Sequence, residues 1–294
     1  MILIKVIYDC DNTMGLPEKD VDDGLTFMYL LGSKKIHLLG VTNTFGNSNI
    51  DDVFTATTKL FHDLQIADIP LIKGAAQNSD RKSEAAAFLV EMVNKYPNEI
   101  TILATGSLTN LYGAYQIDPS FYQKVKAIVL MGGVTKPLII KGKQLNELNF
   151  SVDHEASHHV LHSGAKITVM TGHICLQAEF KKEEYSRLME NKTIASYKYI
   201  KKQSYAWFEY FKELFSTEGF FNWDIVSGVY VTNPALFDDN FQYIVSTEED
   251  LKTGFLKIDE ENKLGTKINI PKKINDINQF NEIIFESWKN VTVK

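Results

Sequence analysis

Through the first 175 residues, short β-branched apolar runs alternate with segments whose apolar positions recur at helical spacing. Ile2–Asp9 reads as a strand and Asp23–Leu31 as a helix, with Leu25, Met28 and Tyr29 on one face. The strand His37–Thr44 and the helix Asp51–Leu64 follow, the latter turning Val53, Ala56, Leu60 and Leu64 inward. A short strand near Pro70–Ile72 and a helix over Ser83–Tyr96 lead to the strands Glu99–Thr105, Ala127–Met131 and Lys166–Thr171, with the helix Glu155–Ser163 before the last. Strands and helices alternating at these lengths build right-handed βαβ units. The expected fold is therefore α/β, with an open, mostly parallel central sheet flanked by helices.

The pattern then changes. Lys181–Phe215 is mostly helical and aromatic-rich, Asp224–Val231 reads as a helix, and Tyr243–Asp259 reads as short strands. A last helix, Asp276–Trp288, repeats Ile277, Phe280, Ile284 and Trp288 at helical spacing. No internal repeat or low-complexity linker interrupts the chain, so residues 1–294 read as a single domain with a helical, aromatic-rich C-terminal part.

Composition narrows the classes of function. The 31 Lys and Arg against 37 Asp and Glu give a net charge of −6, and no long basic run disturbs it, which disfavours nucleic acid as a partner. Apolar residues at 44% and charged ones at 23% are ordinary for a globular protein. No apolar run of ~18 residues is present to cross a membrane, and Met1 to Tyr8 carries no signal-peptide pattern. Two cysteines, Cys10 and Cys175, supply neither a disulfide framework nor a Cys-rich zinc site, so a reducing cytoplasm is the expected location.

The candidate chemistry is acidic. Asp9 and Asp11 stand at the C-terminal end of the first strand, and Asp20, Asp22 and Asp23 stand just before the first helix. In open α/β sheets this edge is where ligands bind. Carboxylates so close repel one another unless a hard cation offsets them, and oxygen donors suit Ca²⁺ or Mg²⁺. A plainer alternative has Asp22 and Asp23 merely favouring the helix dipole. It leaves Asp9 and Asp11 without a reason.

Two resemblances compete for this loop. The run Val6-Ile7-Tyr8-Asp9-Cys10-Asp11-Asn12-Thr13 resembles the DxDxT signature of haloacid dehalogenase phosphatases, which implies Asp9 as nucleophile, Asp11 as acid/base and Mg²⁺ as cofactor. The later acidic pair of that family has no good copy here. Asp238-Asp239 reads as a loop, and Glu248–Asp250 lacks the glycine. The second resemblance is broader. Asp9-Cys10-Asp11 with Asp22-Asp23-Gly24 resembles the DxDxGxDD opening of the inosine-uridine nucleoside hydrolases. Thr42-Asn43-Thr44-Phe45-Gly46-Asn47 is similar to that family's TTVxGN, Thr105-Gly106-Ser107-Leu108-Thr109-Asn110 to its TGxLTN turn, and Met131-Gly132-Gly133 to its MGG. Asn146 to Asp153 with Glu155-Ala156 resembles the E-x-N-xxx-D-x-EA segment, and Trp223-Asp224 falls where the family places a late metal-binding Asp.

This resemblance implies a Ca²⁺ ion held by Asp11, Asp23, Asp224 and the backbone carbonyl of Thr105, binding the ribose 2′- and 3′-hydroxyls and one water. It implies Asp22 as the general base, Asn47, Glu147 and Asn149 as hydrogen-bonding partners of the sugar, Met131 and Trp223 as further substrate contacts, and Asp9 as a support behind the metal ligands. The implied partner is a small-molecule nucleoside, with no membrane, and the implied assembly is a homo-oligomer, a dimer or tetramer. Read from the residues alone, alternatives stand beside these roles: Asn47 as a turn residue, Thr105 as a strand end, Glu147 and Asn149 as the solvent face of a strand, and Asp224 as a helix N-terminal charge.

The chain also departs from the pattern. The ten residues Asn12–Val21 replace a much shorter spacer; Gly15 and Pro17 make them turn-competent, and Asp20 is expected to face solvent. Trp223 stands where many members have a His, similar to the purine-preferring subgroup, in which an aromatic ring stacks on the purine and favours its protonated form; a core Trp is the alternative. Tyr205, Trp207, Phe208, Tyr210 and Phe211 read as core more than as a stacking surface, whereas Phe220, Phe221 and Asn222 adjoin the site as candidate lining of a base pocket. His154, His158 and His162 share a helix face without a further ligand to make a metal site, and His173 follows a strand end within reach of the pocket mouth. The function expected is calcium-dependent hydrolysis of the N-glycosidic bond of ribonucleosides, in nucleoside salvage or catabolism, with a purine preference suggested by Trp223. The alternatives are a Mg²⁺-dependent phosphatase using Asp9, and a nucleoside-binding protein without turnover.

Overall fold

The computed structural model describes residues 3–261 and 264–294; Ile2, at the start of the first expected strand, lies outside them. The chain begins with β1 (Ile4–Cys10), α1 (Asp22–Gly32), β2 (Ile36–Asn43), α2 (Ile50–Asp63), β3 (Leu71–Ile72), α3 (Glu84–Lys95) and β4 (Ile100–Ala104). It continues through α4 (Thr109–Ile117), α5 (Phe121–Lys124), β5 (Ala127–Met131), the hairpin β6 (Leu138–Ile140) and β7 (Lys143–Leu145), α6 (His154–Leu161), β8 (Ile167–Met170) and α7 (Gly172–Cys175). The remainder is β9 (Glu179–Phe180), α8 (Lys182–Glu190), α9 (Ala195–Phe215), β10 (Phe220–Phe221), α10 (Trp223–Thr232), β11 (Phe241–Ile244), α11 (Glu248–Leu251), β12 (Thr266–Asn269) and α12 (Ile277–Lys289).

Eight strands form the central sheet in the order β11, β12, β8, β5, β4, β1, β2, β3. Every neighbouring pair is parallel except β11 with β12 at one edge. The chain winds from β1 outward to β3, then returns to the other side of β1 with β4. That reversal opens a crevice at the C-terminal ends of β1 and β4, the ligand-binding position of such sheets.

Alternation along β1 divides the core between the two faces of the sheet. Val6, Tyr8 and Cys10 join Leu25, Met28, Val226 and Trp288, while Ile7 joins Leu89, Leu111 and Val160. The expectation of one inward face on α1 is too narrow: Leu25 through Leu30 are all buried, because α1 is enclosed by β2, α10 and α12. Helix α3 starts one residue later than its sequence pattern because Ser83 caps it, its Oγ accepting from Ala86 N at 3.2 Å. Asp276 does the same for α12, accepting from Gln279 N at 2.9 Å.

Several elements differ from the sequence reading, including short ones such as α5, α7, β9 and β10 that it did not contain. The hairpin β6–β7 turns through Lys141 and Gly142, with φ of 48° and 80°, the left-handed pair of a type I′ turn. Strand β12 escapes the pattern because Thr266–Asn269 is short and mostly polar. Helix α4 follows directly on the turn after β4, where Gly113 and polar residues blur the periodicity. The stretch Tyr243–Asp259 holds the end of one strand, the helical turn α11 capped by Thr247, and an isolated bridge between Ile244 and Ile258. Among the described residues, no helix is long and apolar enough to cross a membrane.

Trp288 fastens the end of the chain to α1: it is fully buried and its Nε1 donates to Leu25 O at 3.0 Å. Trp288→Ala is expected to cost about 3–5 kcal/mol in denaturant unfolding, and Trp288→Phe clearly less. A loss below about 1 kcal/mol for the alanine variant would show that this anchor is dispensable.

Candidate active site

Helices α1 and α10 pack side by side, so their N-termini meet at the crevice beside β1 and β4. Asp22 and Asp23 occupy the first turn of α1, and Asp224 the first turn of α10. Each of the three offers a carboxylate oxygen, the oxygens lie within 4.8 Å of one another, and all three residues are buried. Asp23 Oδ1 accepts from the Thr105 hydroxyl at 2.7 Å and the Tyr8 hydroxyl at 3.0 Å, while its Oδ2 is buried with no donor. Asp11, at the end of β1, accepts from Asn47 N at 2.6 Å and more weakly from Asn47 Nδ2 at 3.4 Å. This close approach needs a glycine, since a Cβ on Gly46 would stand 2.1 Å from Asp11 Oδ2.

Burial drives the electrostatics. It pushes the carboxyls of Asp9 and Asp20 up to about 7, and those of Asp11, Asp22 and Asp224 well above the carboxylate range, with neighbouring aspartates adding to the rise. Asp23 also rises through burial, opposed chiefly by its hydrogen bond from Thr105. No lysine or arginine lines the cleft among the described residues. Two helix N-termini offset part of the repulsion, each by at most about 2 kcal/mol, against several kcal/mol for each buried ion. Converging carboxylate oxygens, an orphaned buried oxygen and a described lining without lysine or arginine suit a hard divalent cation. These residues fit a metal.

The cleft has a volume of about 200 Å³. Asp22, Asn47, Thr105, Met131, Glu147, Asn149, Trp223 and Asp224 all line it, together with Val134, Leu138 and Leu145. Asn149 Nδ2 donates to Thr105 O at 2.8 Å and Met131 O at 3.1 Å, tying β4 to β5 at the floor. Glu147 is part of the wall, but its carboxylate accepts from Phe150 N at 2.8 Å, Ser151 N at 3.0 Å and Gly133 N at 3.1 Å, so much of its capacity goes to holding its own loop. That loop is irregular, not the strand face that alternation about Leu148 suggested.

Asp11 and Asp23 lie behind the lining, against Asn47 and Thr105. Asp9 is deeper still: wholly buried, outside the lining, with Oδ1 bonded by Thr42 and Asn110. The phosphatase alternative thereby lacks an accessible nucleophile. Asp20, expected in solvent, lines the cleft beside Asp22, its Oδ1 accepting from Val21 N at 2.7 Å. Phe220 and Phe221 pair with β9, and neither they nor His173 are among the lining residues. Phe208 and Phe211 are core, whereas Tyr205 is half exposed. The rings of His158 and His162 lie 4.4 Å apart, tilted by 30°, with His162 Nδ1 2.9 Å from His158 O, and among the described residues His154, His158 and His162 do not converge as ligands. Sequence reasoning missed the hydroxyl of Tyr8, whose only signal was its place next to Asp9. It also missed Leu138 and Leu145, cross-strand partners in an unanticipated hairpin.

Fold and cleft together define an open-sheet α/β protein with an acidic, metal-fitting ligand site at its topological switch point. The family model for inosine-uridine preferring nucleoside hydrolases matches residues 6–282, and the chain belongs to that family. Uridine nucleosidase 1 of Arabidopsis thaliana is 31% identical over 212 residues, 63% of this chain and 61% of that protein. The inosine-uridine preferring nucleoside hydrolase of Crithidia fasciculata is 27% identical over 196 residues, 56% of this chain and 59% of that one. These matches span about three fifths of each relative's length. Among solved structures, a plant nucleoside hydrolase superposes with a TM-score of 0.84 at 20% identity, covering 97% of this chain and 98% of that one. A purine-preferring ribonucleoside hydrolase from Gardnerella vaginalis superposes with a TM-score of 0.80 at 21% identity, with coverage of 97% and 98%.

The raised carboxyls fix a sign for pH dependence. Between the unfolded value near 4 and the folded value of about 7 for Asp9 and Asp20, the native state holds protons that the unfolded state has lost. These groups therefore make the metal-free protein less stable as pH rises through that window. Melting curves in chelator are expected to show this decline, and added Ca²⁺ to raise the melting temperature more at pH 8 than at pH 5. An equal cation effect at both pH values would contradict the carboxylate assignment.

Proposed function

We propose that this chain is a calcium-dependent N-ribohydrolase that splits ribonucleosides into free base and ribose. The observation that carries the reading is the convergence of buried Asp22, Asp23 and Asp224 at a cleft also lined by amides and an indole. Asp11, Asp23, Asp224 and the carbonyl of Thr105 would hold the ion. A set so rich in carboxylate and carbonyl oxygens favours Ca²⁺ over Mg²⁺, which keeps more of its water. When bound, the cation supplies positive charge that orients the sugar hydroxyls and acidifies a neighbouring water.

Asp22 then accepts the proton as water attacks the anomeric carbon; the C1′–O bond forms, the C1′–N bond breaks, and its electron pair leaves with the base. The sugar passes through an oxocarbenium-like state that nearby carboxylates stabilise. Asn47, Asn149, Glu147 and Met131 hold the ribose in place, and buried polar groups of this kind reject a sugar lacking the matching hydroxyl. Asp9 supports the ligand loop from behind through Thr42 and Asn110. The face of Trp223 attracts a base that is becoming cationic, which favours purines. Relatives named for uridine set against a structural neighbour named for purines make the base the open variable of this proposal. The same proposal places the enzyme in nucleoside salvage or catabolism, as a cytoplasmic homo-oligomer whose two buried thiols, Cys10 and Cys175, stay reduced.

The test is a panel of inosine, adenosine, guanosine, uridine and cytidine assayed for reducing sugar with and without chelator. Sugar release that chelator abolishes and Ca²⁺ restores, fastest with the purines, is the expected result. Asp22→Ala is expected to keep the circular dichroism of the fold and lose at least ~10²-fold in kcat. Near-normal turnover in that variant would remove Asp22 as base. Phosphate release from a nucleotide without ribose release, or tight inosine binding without hydrolysis, would replace the proposal.

A further inference from the structure

The ten residues Asn12–Val21 between β1 and α1 are a fastened loop. Asn12 Nδ2 donates to Thr57 Oγ1 of α2 at 3.2 Å, Leu16 N to Thr13 O at 2.9 Å, and Thr13 Oγ1 to Asp20 O at 2.9 Å. Met14 is buried, and its side chain fills the space where Gly24 has no Cβ. Glu18 takes a φ of 55°, a left-handed conformation that its Cβ disfavours.

The next residue, Lys19, crosses to the loop between β2 and α2, where its Nζ donates to Asn47 O at 2.6 Å. Asn47 is the residue whose N and Nδ2 hold the carboxylate of Asp11. Lys19, Asn47 and Asp11 thus form one continuous hydrogen-bonded series from the insertion to the end of β1. The ammonium sits near a cleft crowded with carboxylates, yet the hydrogen bond it makes is to a neutral carbonyl. That bond orients a residue of the cleft wall.

We propose that Lys19 is a positioning residue: by gripping the Asn47 carbonyl it fixes the Asn47 amide on Asp11, and so sets the carboxylate orientation that cation and sugar require. The insertion is then a clasp that indexes the metal site. This inference rests on the proposed function for its catalytic consequence. Its effect on cation binding does not need turnover to be seen.

The experiment compares the full-length protein with Lys19→Met and Lys19→Arg, by calorimetric titration with Ca²⁺, by melting temperature in chelator, and by kcat and KM for inosine. Lys19→Met is expected to weaken Ca²⁺ binding several-fold, less than the ~10–100-fold that follows loss of a group bonded directly to a metal ligand, because Lys19 acts through Asn47. The metal-free melting temperature should stay unchanged, and KM should rise more than kcat falls. Lys19→Arg, which still donates to the carbonyl, should recover most of the Ca²⁺ affinity. Wild-type affinity in Lys19→Met would overturn the inference, as would a loss of metal-free stability that arginine does not rescue. A wild-type protein that binds Ca²⁺ but hydrolyses no nucleoside would defeat the functional reading alone, and the titrations would still decide the role of Lys19.

Discussion

Several carboxylates are buried together at one end of a parallel sheet with no lysine or arginine among the described residues lining their cleft, and the rest of the site follows from that constraint. Each ionised group removed from water costs several kcal/mol. The protein offers the hydroxyls of Tyr8 and Thr105 to Asp23, a backbone amide to Asp11, and the N-termini of α1 and α10 to the cluster. Hydrogen bonds to charged groups contribute about 1.5–3 kcal/mol each. These terms are comparable to the penalty for one or two ions. They do not match the whole set, and a bound divalent cation would supply what is missing.

The fold makes this concentration of charge possible. Reversal of winding at β1 and β4 leaves the ends of both strands open, so Thr105 lines the crevice and Asp11 stands just behind it. Helix α1, enclosed on nearly every side, is held rigidly by α10, α12 and the Trp288 anchor, and its first turn cannot drift away from that of α10. The Gly46 position brings the β2–α2 loop against Asp11. A ligand site carried on such elements is pre-organised before any ligand enters.

Much of this was legible in the sequence because strand and helix periods are strong in the first half of the chain, and because paired acidic residues at a strand end serve neither core packing nor a helix dipole. The bounds of β5 lie where the pattern puts them, and α3 and α12 begin one residue after the Ser83 and Asp276 at which the pattern starts them. What stayed hidden depends on contacts distant in sequence. Asp20 reads as a solvated loop residue until the insertion folds back beside Asp22, and Phe220 and Phe221 read as pocket lining until they pair with Glu179 and Phe180. The hairpin β6–β7 is too short for its alternation to register, so Leu138 and Leu145 gave no warning. Glu147 shows a different limit: its position is as a pocket residue should be, yet three backbone amides claim its oxygens.

The most direct test of the central claim is the number of protons released when the metal-free protein binds Ca²⁺ at pH 6, obtained by calorimetry in buffers of different ionisation enthalpy. Carboxyls that burial keeps protonated must give up their protons to become ligands, so saturable binding of one ion with net release of about one proton or more is expected. Binding with no proton release, or no saturable binding at all, would contradict it.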